Sequence, residues 1–200
     1  MKTATAIATA LTLLSLSTVP ALAATATKYQ FKGQNAYASF SQSDDCSYTD
    51  VSVSAFDNVT KSGPGAPTSQ TGAYFYYSSY NYCTGTQSYG DGFSENVTFT
   101  SNKLNSATLN GSFTVYDYYL GTSKTATVNL TWTGTGDTYR GKSQSRYQSP
   151  GYTSSYRYTG SSRDAQVSGS VILDGTNFAN LPTSYASLGT SSSGSLEIIK

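Results

Sequence analysis

SATLNGSFTVYDYYLGTSKTATVNLTWTGTG, residues 106–136, decides the fold. In its first arm Ala107, Leu109, Gly111, Phe113 and Val115 share one parity, and Thr108, Asn110, Ser112, Thr114 and Tyr116 share the other. The second arm sets Ala126, Val128, Leu130 and Trp132 against Thr125, Thr127, Asn129 and Thr131. Successive side chains leave a strand on opposite sides, so this alternation marks strands with one face on a core and one in water. The DYYLGTS between the arms is too long for a two-residue turn, and Gly121 suits a longer hairpin loop. The stretch predicts a β-hairpin with Phe113, Val115, Val128, Leu130 and Trp132 buried.

Working outward, shorter runs repeat the pattern. Ala36, Ala38 and Phe40 alternate with Tyr37 and Ser39, and Val51, Val53 and Ala55 share a face of the next run. Residues 73–83, AYFYYSSYNYC, are aromatic in both parities, 95–100 form a short strand, and Ala165, Val167, Gly169 and Val171 alternate later. The Pro- and Gly-bearing stretch 61–72 reads as a loop, CTGTQSYGDGF (83–93) as a turn region and GTGD (134–137) as a break. No 3.6-residue apolar repeat stands out beyond the first residues. The expected fold is all-β, an antiparallel β-sandwich or partly closed β-barrel of roughly eight to eleven short strands.

Residues 1–23 have the three parts of a secretory signal peptide: Lys2, an apolar stretch diluted by Ser and Thr, and Ala21-Leu22-Ala23 after Pro20. The apolar stretch is short of the roughly 20 residues a membrane span needs. Residues 24–200 are then a single secreted β-domain with no membrane span after cleavage. The chain has 12 basic and 11 acidic residues, and Lys2 leaves with the leader, so the mature domain is neutral. A neutral domain lacks the positive field that a nucleic-acid binder depends on.

Cys46 and Cys83 are the two cysteines. In an oxidising compartment such a pair reads as one disulfide, stabilising by about 3 to 4 kcal/mol through the denatured chain. The chain has no histidine. Ser-His-Asp and Cys-His catalysis are therefore excluded, as are the usual zinc sets, and no phosphate-binding or dinucleotide motif is present. No cofactor is expected. Asp44 and Asp45 beside Cys46 could offer oxygens to calcium, but lack EF-hand spacing and read as a solvated turn.

The segments CSYTDVSVSA, YNYCTGT, LNSATLN, VNLTWTGTG and AQVSGSV resemble a group of uncharacterised secreted bacterial proteins. The resemblance implies a shared β fold and secretion, and carries no activity. It does not include residues 139–158, where Arg140, Arg146, Tyr147, Tyr152, Tyr156, Arg157 and Tyr158 crowd together with no acid. Guanidinium groups bind carboxylate or sulfate in a bidentate way, and aromatic faces stack on sugar rings. These residues are the candidate ligand site, for an extracellular polysaccharide. Charges that blunt an exposed strand edge are the competing account. The function expected is a non-catalytic secreted domain in carbohydrate or matrix binding or adhesion; the alternative is a carbohydrate-active enzyme with a carboxylate pair. Thiol titration of the unreduced, denatured protein should find no free thiol; two per chain would refute the bridge.

Overall fold

In the computed structural model, which describes residues 24–199, the arms of the central hairpin are neighbouring strands with Leu109 opposite Leu130 and Phe113 opposite Ala126. The strands among the described residues are β1 (Thr25–Ser43), β2 (Ser47–Ser62), β3 (Thr68–Asn81), β4 (Thr86–Ser94), β5 (Val97–Asn102), β6 (Ser106–Asp117), β7 (Thr122–Ser149), β8 (Tyr152–Leu173), β9 (Thr176–Asn177) and β10 (Thr183–Ile199). The proposed leader lies outside the described residues.

Hydrogen bonding passes antiparallel from β1 through β2, β3, β4, β6, β7, β8 and β10, and back to β1. The sheet is thus a ring, an up-and-down barrel. β4 meets β6 only at Gly90 and Asp91, and β5 then takes over the same neighbour. Closure is partial, because β8 pairs with β10 only over residues 152–164. Beyond that point the two strands part, and a 3₁₀ turn, Phe178–Asn180, packs with Leu181 against the core. Asn177 fixes this turn by accepting from the amides of Val171 and Ala179.

The inward parity of each strand builds the core predicted from the alternation. Phe113, Val115, Val128, Leu130 and Trp132 are all buried, together with Phe40, Val51, Val53, Phe75 and Leu188. Trp132 reaches from β7 across the interior, and its indole N–H donates to the Tyr37 carbonyl of β1 at 2.9 Å. Those strands are not neighbours in the ring, so the bond ties opposite walls and satisfies the polar atom that a buried Trp brings with it. The outward parity of the hairpin is Thr, Asn and Ser along most of its length, with Tyr116 near the turn end. No helix among the described residues is long and apolar enough to cross a membrane.

Three segments read as loop, turn or break are strand. β2 runs to Ser62 and β3 starts at Thr68, leaving only residues 63–67 as loop, since the prolines lie inside that gap. β4 occupies most of the stretch read as a turn region. Its inward positions are Gly90 and Gly92, where a Cβ would overlap the carbonyls of Tyr116 and Thr114. Strand pairing here needs the close backbone approach that only glycine allows, and it erases the apolar signal. At GTGD, β7 carries a bulge between Gly134 and Thr138 and then continues.

The end carrying the β1–β2, β3–β4 and β6–β7 turns is fastened twice. Cys46 and Cys83 form a disulfide, with Cα atoms 5.2 Å apart, linking the first two of those turns. Nearby, Asp117 is fully buried and accepts from the Tyr77 hydroxyl at 2.5 Å, the Ser88 hydroxyl at 2.7 Å and the amides of Tyr119 and Leu120 at 3.0 and 2.9 Å. The Lys124 ammonium lies 3.1 Å from it. Burial pushes this carboxyl's pKa up, but the bonds from Tyr77, Leu120, Ser88 and Lys124 outweigh that and hold it far below the ordinary carboxylate range.

Trp132→Ala should lower stability by about 3–5 kcal/mol, read as a fall in urea midpoint; an unchanged midpoint would place the ring outside the core. Asp117→Ala should cost about 3–5 kcal/mol, because it leaves buried partners without their counter-charge. A depressed carboxylate gives stability that is full above its unfolded value of about 3.9 and drains as pH falls towards the folded value. The urea midpoint should therefore drop below about pH 4, and drop less steeply in Asp117→Asn.

Candidate functional site

Beyond the β5–β6 turn the ring no longer closes, and six strands run on as an open sheet in the order β7-β8-β10-β1-β2-β3. β7, β8, β10 and β1 reach equally far, to the row of Ser149, Tyr152, Ile199 and Thr25, about 30 Å past the level of Gln34 at about 3.4 Å per residue. Pairing is unbroken along this overhang, so the parity that faces the barrel core also defines one face of it. Ala36 and Leu188 lie opposite each other in the core, and the rows beyond them on the same face can be read strand by strand.

The first such row is Arg140, Ser161, Thr190, Gln34 and Asp57, and the next is Lys142, Thr159, Ser192, Lys32 and Val59. Then come Gln144, Arg157, Gly194, Gln30 and Lys61, followed by Arg146, Ser155, Leu196 and Lys28. Seven cations therefore share the inner face. They stand on the flanks, Arg140, Lys142, Arg146 and Arg157 on β7 and β8, and Lys28, Lys32 and Lys61 on β1 and β2. Between them β10 supplies a floor of Thr190, Ser192 and Gly194, with Leu196 in the row of Arg146 and Lys28. Lys32 and Lys142 are three strand spacings apart, about 14 Å along the sheet. This is a trough with basic walls and a small, hydroxyl-bearing floor.

Its inner end is a cavity of about 430 Å³, lined by residues that include Lys32, Gln34, Asp57, Lys103, Thr159 and Ser192. Lys103 comes from the β5–β6 turn, where its backbone amide donates to the Gln34 side chain at 3.2 Å. Asp57 is the acidic residue of these rows, and it accepts from the Thr71 hydroxyl at 3.0 Å. The ion pairs found among the described residues, to Asp117 and Asp174, both belong to Lys124 at the far end of the barrel. The trough cations have no such partner within 4 Å among the described residues. Their fields overlap, since the spacings are comparable with the screening length of about 10 Å at 0.1 M salt.

The candidate residues of 139–158 divide between two faces. Arg140, Arg146 and Arg157 point into the trough, whereas Tyr147, Tyr152, Tyr156 and Tyr158 lie on the opposite, outer face. There Tyr147 and Tyr152 sit together with ring centres 6.2 Å apart. A single surface combining all seven does not form. Lys28, Lys32 and Lys61 are scattered in sequence and come from strands more than 75 residues earlier; their parity with Ala36 and Val53 is the signal that places them on this face.

Asp44, Asp117 and Asp174 serve other ends. Asp44 accepts from the amides of Cys46 and Ser47 and from the Ser47 hydroxyl, which spends its oxygens on the turn. Those bonds, from Cys46 first, hold its carboxyl below the usual range. Two carboxylates meet at Lys124, which lies 3.1 Å from Asp117 and 3.4 Å from Asp174. Asp117 there is sealed in its own hydrogen bonds, out of reach of a substrate. Comparisons with protein-family models, curated proteins and solved structures find no match to this chain.

Proposed function

We propose that this is a non-catalytic secreted β-barrel domain that binds an acidic polysaccharide along the trough, in a matrix-binding or adhesive role. The observation that supports it is the gathering of seven cations on the two flanks of one face, without paired carboxylates among the described residues. An extended polyanion lying on β10 has basic groups on both sides. Arginine on the β7–β8 flank takes carboxylate or sulfate through paired N–H bonds, and lysine on the β1–β2 flank acts as a point charge. The Ser, Thr and Gly floor leaves room for the chain and offers hydroxyls to its sugars. Such a groove supplies retention and orientation; it asks for no reacting group.

The test is retention on alginate- and heparin-agarose at low salt. Wild type should be held and released by salt, because exposed ionic contacts are screened. Arg140→Ala/Arg146→Ala and Lys28→Ala/Lys32→Ala should each elute at lower salt, since the two flanks act together. Tyr147→Ala/Tyr156→Ala should elute with wild type. Void elution of wild type would overturn the reading, as would loss of retention in the tyrosine variant alone.

A further inference from the structure

The outer wall of the barrel on β2, β3, β4 and β6 carries a second chemistry. One row across it reads Ser52, Tyr76, Asp91 and Tyr116. Along β4, Asp91 has Tyr89 on one side and Phe93 on the other at the same parity. The Asp91 carboxylate lies close enough to Tyr118 to raise that phenol's pKa. Tyr118 stacks beside Tyr89 with ring centres 5.7 Å apart, and Tyr74 lies 4.6 Å from Phe93. Tyr76 is 42% exposed and Tyr116 46%, so the rings flanking the carboxylate stand open to solvent. On β2 of the same wall, Asp50 is half-buried, and burial pushes its carboxyl up.

This wall differs in kind from the trough. Its charges are carboxylates, and its area is aromatic. A polyanion is repelled by Asp50 and Asp91. An apolar partner would strip water from Asp91 and from several phenols without replacing their hydrogen bonds, a cost such burial does not recover. A ligand that satisfies both parts must present flat CH faces to the rings and hydroxyl donors to the carboxylates. Neutral sugar rings do both. Tyr76 and Tyr116 are two strand spacings apart, about 10 Å, with Asp91 between them, so they would seat different sugars of one chain.

We infer that this wall is a second binding site, specific for a neutral polysaccharide, with Tyr76 and Tyr116 as stacking platforms and Asp91 as the hydroxyl acceptor. It is independent of the trough, and a domain with both sites joins an acidic polymer to a neutral one.

Native gel electrophoresis in gels containing hydroxyethylcellulose, laminarin or galactomannan tests this. Wild type should be retarded in at least one of them. Tyr76→Ala/Tyr116→Ala should weaken the retardation about tenfold, of the order of losing aromatic stacking, and Asp91→Asn should weaken it less. Arg140→Ala/Arg146→Ala should be retarded like wild type whatever it does on alginate, which separates failure of one site from failure of the other. Fluorescence of the buried Trp132 reports whether each variant is folded. Absence of retardation in all three gels would overturn the proposal, as would retardation that the folded tyrosine variant retains in full. Self-association in sedimentation that only the tyrosine variant abolishes, without retardation in any gel, would make the wall a protein interface instead.

Discussion

The pleat of the strands is the constraint on which the rest of this structure depends. Side chains alternate between two faces, and over the overhang no register shift intervenes, so the face that holds Ala36 must also hold Lys32 and Lys28. Burying several unpaired ammonium and guanidinium groups would cost many kcal/mol, far more than a domain's net stability of about 5–15 kcal/mol. The barrel therefore ends where the inward residues become basic. Partly closed barrel and open trough are one sheet, divided by the chemistry of a single parity.

Much of this was legible in advance, and what was not has a physical reason. The hairpin of β6 and β7 announced itself because apolar and polar residues alternate cleanly from Ala107 to Trp132. β4 hid because its inward positions are Gly90 and Gly92, so a strand pressed against the backbone of β6 looks like a turn. The edges of residues 61–72 read as loop because two prolines lie nearby, although these disturb only the five residues between β2 and β3. The candidate site was half visible. Arg140, Arg146 and Arg157 stood out by local density, but Tyr147, Tyr152, Tyr156 and Tyr158 stood out equally and point away. Local crowding in a strand mixes two faces. The partners across the trough come from β1 and β2, and which strands become neighbours is a property of the ring.

Net charge concealed the same division. A chain with nearly equal basic and acidic residues reads as electrically featureless. In three dimensions seven cations line one concave face, while Asp50 and Asp91 lie on the outer wall and Asp117 is sealed at the far end. Balance over the whole chain says nothing about balance over a surface.

The pairing of β1 with β10, from Thr25 against Ile199 inward, also sets the order in which the molecule can assemble. These are the first and last strands among the described residues, so the ring gains its final hydrogen bonds only after residues far apart in the chain have been drawn together, at a large cost in loop entropy. The disulfide closes a separation of 37 residues between strands already adjacent, and can form early. Folding should accordingly proceed from the stapled end, with β10 inserting last between β8 and β1. Until it does, both of those strands present open edges, and the interval before closure is when the chain is most exposed to pairing with the wrong neighbour.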